Sequence, residues 1–211
     1  MIVCESTLFM FSLTLDKATI SWLRNYYKCE KRLILEYGTG GSTILALELN
    51  PENIVYACET DSAWLAKLML HASEKKLQSR LFPVHLDIGQ TGDWGIPVFD
   101  EGGFTGKRMQ RFLEVAIFPW KLMRSHNVMP DLVFIDGRWR KACFLSALLF
   151  CKEPVLVLWD DYADRPQYQI FDEIIKPVEM IGRSALYEIS PRNYDAADIV
   201  ENFLAVFGDW G

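Results

Sequence analysis

Two runs of this chain, "LVFI" at 132–135 and "VLVL" at 155–158, are apolar without alternation. A strand with one wet face alternates apolar and polar side chains. A strand with no alternation must have both faces covered, as parallel strands under crossover helices do. Four other strand-like runs accompany them: "RLILEY" (32–37), "NIVYACE" (53–59), "RLFPVHL" (80–86) and "SALYEI" (184–189). Between them lie helical patterns over 15–28, 43–49, 62–76, about 107–124, 138–150 and 167–176. The tail "DAADIVENFLAVFGDW" is open: Ile199/Phe203 and Val200/Leu204 favour helix, while "LAVF" alone suits an edge strand.

Alternation of buried strands with helices predicts an α/β fold. The expectation is a doubly wound, mostly parallel, Rossmann-like sheet of about six to seven strands with helices on both faces. At 211 residues with half of them hydrophobic, the chain suits one domain over 1–211, with 1–30 as an N-terminal helical cap. A net charge of −6 argues against a broad nucleic-acid surface. The basic cluster Lys107, Arg108 and Arg111 reads first as a solvated helix face. Five scattered cysteines without CxxC spacing look like buried thiols of a reducing compartment. The N-terminus lacks a cationic start and a cleavage site, and no apolar run approaches the roughly 20 residues needed to cross a bilayer. A cytoplasmic location with no membrane partner is expected; a homodimer is left open.

In such a sheet, ligands bind beyond the carboxyl ends of the strands. The stretch "LEYGTGGST" (35–43) puts Gly38, Gly40 and Gly41 there, after the first strand. Glycine lets the main chain approach a ligand, and Ser42 or Thr43 can cap the next helix. Glu36, two residues before Gly38, can accept from a ligand amine or from the loop itself. Glu59 lies 21 residues beyond Gly38, at the end of the next strand, where an acid can hold ribose hydroxyls. A dinucleotide fingerprint would have a third glycine where Thr43 stands. In the second half, Asp136 and the pair Asp160-Asp161 end two strands 24 residues apart, so all three carboxylates share one sheet edge. They would repel one another unless paired with a cation. A hard divalent ion would resolve that, and so would Arg138, Arg140 or Arg165.

These stretches resemble the class I S-adenosylmethionine-dependent methyltransferase family. "LEYGTGGST" is similar to its first motif, "VYACETDSAWL" to its second and "VHLDIGQTGDWG" (84–95) to its third-strand region. The resemblance covers roughly residues 30 to 190. It implies S-adenosylmethionine bound by Glu36, Gly38, Thr39, Gly40, Ser42, Thr43, Glu59, Thr60, Asp87, Ile88 and Asp136. The pattern of Asp136 with Asp160-Asp161-Tyr162 is similar to metal-dependent O-methyltransferases of the catechol and macrolide-sugar kinds. That implies Mg²⁺ on Asp136, Asp160 and Asp161, with Asp136, Asp161 and Tyr162 as catalytic residues. The cationic "RWRKA" after Gly137 departs from that pattern.

The implied reaction is methyl transfer to an oxygen of a small-molecule acceptor. The segment 89–112, rich in glycine with Trp94, Phe99 and Phe104, reads as a lid over the acceptor, and Arg108 and Arg111 could then meet an anionic one. His71 reads as structural and His126 as a loop residue, so no histidine stands out as a base. Two other functions remain open: a ligand- or partner-binding domain without catalysis, and a nicotinamide-dependent oxidoreductase.

Overall fold

The computed structural model describes residues 11–99 and 105–211. The N-terminal ten residues, with Cys4, and the lid residues 100–104, with Phe104, lie outside the described part. Seven strands form one sheet: β1 (Leu33–Tyr37), β2 (Ile54–Glu59), β3 (Leu81–His85), β4 (Leu132–Ile135), β5 (Val155–Trp159), β6 (Glu179–Ile181) and β7 (Ser184–Ile189). Their order across the sheet is β3-β2-β1-β4-β5-β7-β6. The first five run parallel; β7 is antiparallel to β5 and to β6. The crossovers are α2 (Gly41–Leu49), α3 (Ser62–Glu74), α4 (Gly106–Ser125) and α5 (Arg140–Phe150), with α1 (Lys17–Cys29) ahead of the sheet and α6 (Ala196–Phe203) after it.

Period-two geometry splits every strand between two cores. Leu132 and Phe134 of β4 face α1, α2 and α3, while Val133 and Ile135 face α4 and α5; all four are fully buried. This accounts for the missing alternation in "LVFI". Three helices begin where the sequence provides caps: the Asp16 and Asp61 carboxylates accept main-chain N–H bonds at α1 and α3, and the Thr105 hydroxyl does so at α4.

Three local expectations change. The helical pattern at 167–176 is a 3₁₀ segment, Pro166–Phe171. Its two buried residues, Tyr168 and Phe171, are three apart, the spacing a 3₁₀ turn stacks on one face. The open tail forms α6 and then the 3₁₀ segment Leu204–Gly208. β6, unmarked in the sequence, is a three-residue edge strand with only Ile181 buried. No helix among the described residues is long and apolar enough to cross a membrane. Of the cysteines described, Cys58, Cys143 and Cys151 are buried and Cys29 is exposed; none forms a disulfide.

The sheet reverses its winding between β1 and β4, and ladder bonds continue past the strand ends there. Gly38 N–H donates to Cys58 O (2.9 Å), Asp136 N–H to Tyr37 O (2.9 Å) and Asp160 N–H to Ile135 O (3.0 Å). Gly38 and Gly137 therefore meet back to back. Gly38 has φ +88°, and a Cβ on it would lie 2.5 Å from the Gly137 nitrogen. We expect Gly38→Ala to lower stability by on the order of 3 kcal/mol, measured by denaturant unfolding, because neither main chain can retreat.

Strand parity sends Glu36 to the α2 side of β1, where it is 1% exposed. Its carboxylate accepts from the Ser42 hydroxyl and from the Thr43 hydroxyl (2.6 Å), and the Thr43 oxygen accepts from Gly40 N–H (3.1 Å). Burial pushes the Glu36 carboxyl from near 4.5 up to about 8, opposed by those hydroxyls and reinforced by Asp136 and Glu59. Below pH 4.5 it is protonated folded or unfolded. As pH rises from 4.5 to 8 only the unfolded chain ionises, so this group's contribution to stability falls across that window. Glu36→Gln should remove the fall, by up to about 5 kcal/mol at pH 8. The Tm of the variant minus that of the parent should grow from pH 5 to pH 8; a constant difference would contradict the burial argument.

Candidate functional site

A cavity of about 840 Å³ opens at the carboxyl ends of β1, β2 and β4. Its floor is the turn Gly38-Thr39-Gly40-Gly41-Ser42. A Cβ on Gly40 would meet nothing within 4 Å, so the main chain there faces open space. On the opposite side of the turn, a Cβ on Gly41 would lie 2.8 Å from Phe11 O. Ser12, Leu13, Thr14 and Leu15 continue from Phe11 as one cavity wall.

Glu59 at the end of β2 organises the second wall. Its Oε1 accepts from the N–H groups of Thr60 (2.7 Å) and Asp61 (3.0 Å). Its Oε2 takes longer bonds of 3.3 Å from the N–H and hydroxyl of Thr39. The carboxylate thus joins β2 to the glycine turn, and the Trp64 indole N–H adds a bond to Thr39 O (2.7 Å). Residues 90–98 fold back on themselves, with Val98 N–H donating to Gln90 O (2.9 Å). This small hairpin lays Gly95 against Thr60 and Arg138. At its tip Trp94 has φ +59° and is 78% exposed while lining the cavity. Of the segment read as a lid, residues 89–99 are described as this loop, and from Gly106 onward it is helix α4.

The third wall is electrostatic. Arg140, 7% exposed at the start of α5, donates from Nε to Gly137 O (2.9 Å) and from Nη1 to Asp160 O (2.7 Å) and Asp161 Oδ2 (2.9 Å). Its Nη2 donates to Asp136 O and Asp136 Oδ1, both at 3.1 Å. Arg183 donates to both oxygens of Asp160 (3.1 and 2.7 Å), and the Ser184 hydroxyl adds a third bond (2.8 Å). Asp161 Oδ2 also accepts from Arg165 (3.1 Å), and its Oδ1 pairs with Arg183 (3.0 Å). Asp161 sits at φ +59°, a left-handed conformation that Asp tolerates better than most residues.

Environment splits the carboxylates apart. Burial lifts Asp136 to about 7, opposed by Arg140 and reinforced by Asp160 and Asp161. Burial works against the charge of Asp160 too, but bonds from Arg183 and Ser184 hold it below the ordinary range.

The expected site residues therefore divide. Gly38, Thr39, Gly40, Ser42, Glu59, Thr60, Asp136 and Asp161 all line the one cavity. Glu36 and Thr43 lie behind the turn and bond to the loop. Asp87 is exposed and pairs with Arg111 (3.0 Å), and Ile88 is core; neither is at the cavity wall. Tyr162 belongs to an aromatic cluster with Trp159, and its hydroxyl donates to Asp172 (3.0 Å) rather than facing the cavity. Burial raises its pKa, so the phenol stays protonated near neutrality and cannot accept a proton. Asp160 is fully buried behind Arg183. Arg108 bonds Ile88 O and Gln90 O, so neither Arg108 nor Arg111 faces the cavity.

The metal expectation fails on donor chemistry. Asp136, Asp160 and Asp161 already share the guanidinium groups of Arg140, Arg165 and Arg183, and a cation placed among them would meet those three positive charges. Among the described residues, no group of three His, Cys, Asp or Glu side chains is arranged to hold a metal ion. Arg183 was not expected at the site. It follows Gly182 in the β6–β7 turn, and without a visible β6 that turn left no signal.

No protein-family profile matches the sequence, and no curated protein matches it either. Solved structures do match. A methyltransferase-like protein from Silicibacter pomeroyi is 30% identical over 95% of this chain and 98% of its own, with a TM-score of 0.81. A methyltransferase from Geobacter sulfurreducens is 11% identical over 83% of this chain and 80% of its own, with a TM-score of 0.54. A SAM-dependent O-methyltransferase from Thermotoga maritima is 11% identical over 87% and 69%, with a TM-score of 0.51. The last two likenesses show shared fold alone. With the Silicibacter likeness spanning nearly the whole of both chains, and the glycine turn and strand-end acids of the resemblance gathered at one cavity, this chain belongs to the class I S-adenosylmethionine-dependent methyltransferase family.

Proposed function

We propose that the protein transfers a methyl group from S-adenosylmethionine to an oxygen of a small-molecule acceptor, without a metal ion. The observation that carries this reading is the convergence of the Gly38–Ser42 turn, Glu59 and Asp136 on one cavity. Its volume, about 840 Å³, falls in the range of small-ligand sites and leaves room for an acceptor beside the cofactor.

The residues present fit S-adenosylmethionine. The main chain at Gly40 is open to the cavity, and Glu59 Oε2, now held only by 3.3 Å bonds, can take ribose hydroxyls instead. When bound, the cofactor supplies an electrophilic sulfonium methyl. The chain's own part is to orient the acceptor and remove its proton. Asp136 suits that second task. It lines the cavity, and a carboxyl lifted to about 7 takes a proton near neutrality better than an ordinary one. Bound beside it, S-adenosylmethionine would give its methyl to the acceptor oxygen and leave as S-adenosylhomocysteine, the carbon–sulfur electron pair staying on sulfur. The hydroxyl proton passes to Asp136. Asp161, with both oxygens held by guanidinium groups, serves as a counter-ion that fixes Arg140 and Arg165. We assign Glu36, Thr43 and Asp160 to building the site, and leave Asp87, Ile88 and Tyr162 out of it.

Calorimetric titration with S-adenosylhomocysteine tests the cofactor half. Binding should occur equally with Mg²⁺ and with EDTA. Gly40→Val should weaken it at least tenfold with little change in Tm, because the new side chain enters open space, and Glu59→Gln should weaken it by a similar factor. Tight NAD binding in place of S-adenosylhomocysteine would overturn the assignment. The catalytic half is read by methyl incorporation from S-adenosylmethionine into small molecules of a cell extract, with products identified by mass spectrometry. Asp136→Asn should lower incorporation by about 100-fold or more. In the parent the rate should rise with pH through about 7, as Asp136 loses its proton.

A further inference from the structure

Around the ends of β4 and β5, three carboxylates face four guanidinium groups. Asp160 is taken up by Arg183, Asp161 by Arg140, Arg165 and Arg183, and Asp136 by Arg140. Arg138 is the remaining cation. Among the described residues no carboxylate pairs with it; its Nε donates to the main-chain oxygen of Trp94 (2.8 Å), which carries no formal charge. Yet Arg138 is half-buried and lines the cavity. Burial disfavours its charge, repulsion from Arg140 and Arg165 adds to that, and the weaker pull of Tyr168 and Asp136 offsets only part of it. A partly desolvated guanidinium beside like charges is unfavourable unless something anionic arrives. Such departures from local electrostatic fit belong to binding sites more often than to scaffolds.

We propose that Arg138, with Arg165 beside it, receives an oxyanion of the methyl acceptor, a carboxylate or a phosphate. This rests on the methyltransferase reading of the same cavity. The planar guanidinium fork matches both anions bidentately, where a lysine would offer only a point charge. Arg165 contributes its charge from the same wall. Its Nη1 and Nη2 are held by Tyr168 (3.2 Å) and Asp161 (3.1 Å), so its position is set in advance. Trp94, whose main-chain oxygen Arg138 bonds, is 78% exposed and lines the same cavity, so its indole offers that cavity a flat apolar face. An acceptor with an aromatic body and an acidic group satisfies both.

The test is calorimetric titration of the S-adenosylhomocysteine-saturated protein with benzoate, phenyl phosphate and neutral benzyl alcohol. We expect at least one oxyanion to bind and the alcohol not to bind at matched concentration. Which of the two binds tighter separates carboxylate from phosphate. Arg138→Gln should weaken the anion at least tenfold, with S-adenosylhomocysteine affinity unchanged within twofold, and Arg138→Lys should restore part of the loss. Absence of anion binding by the parent, or equal binding by Arg138→Gln, would overturn the proposal. So would displacement of S-adenosylhomocysteine by benzoate, because Arg138 would then be serving the cofactor's own carboxylate. Failure of S-adenosylhomocysteine to bind at all would sink the methyltransferase reading instead. The same titrations of the unliganded protein would still score Arg138 as an anion site.

Discussion

The guanidinium of Arg140 holds the ends of β4 and β5 in register at the cavity. It donates to three main-chain or side-chain oxygens of β4's exit, at Gly137 and Asp136, and to Asp160 and Asp161 beyond β5. Its burial leaves little water to screen these bonds, which makes each stronger and makes losing any of them costly. Three acids can share one sheet edge only because this group, with Arg165 and Arg183, neutralises them. Asp136 can then keep a raised pKa while Asp160 is held ionised, a separation that suits the first to the proton transfer we propose and the second to structure.

Two strand-end acids on the first half of the sheet show how a small change of position alters a residue's task. Glu36 lies within β1, and parity turns it under α2, where it holds Ser42 and Thr43 and so shapes the glycine turn from behind. Glu59 ends β2, where its carboxylate reaches the cavity and bonds the front of the same turn. The turn is thus clamped between a buried acid with a pKa near 8 and a cavity-facing one. Held from both sides, its main chain is largely ordered in advance, which lowers the entropy a ligand would cost on binding.

Legibility followed the range of the interaction that decides each feature. The parallel strands were visible because burial on both faces removes alternation, a property of four to six consecutive residues. The glycine turn, Glu59 and Asp136 were visible because strand order brings the ends of neighbouring parallel strands to one edge. Asp87, Ile88 and Tyr162 lie off the cavity wall because the exact residue that faces a cavity depends on how a loop leaves its strand. The metal expectation followed the same limit. Asp136, Asp160 and Asp161 look alike beside an ion or beside arginines, and the choice rests on Arg183, which arrives on a hairpin 22 residues beyond Asp161.

The sequence by itself determined the class of fold, the edge of the sheet that carries the site, and the glycine turn with its strand-end acids. These follow from hydrophobic period and strand spacing, which are local. Only the tertiary structure decided which acids meet solvent in the cavity, which are neutralised from behind, and that Arg138 lines the cavity with no carboxylate partner among the described residues. Those outcomes depend on side chains from β4, β5, the β6–β7 turn and the 90–98 hairpin meeting at one point, and no period along the chain encodes a meeting of that kind.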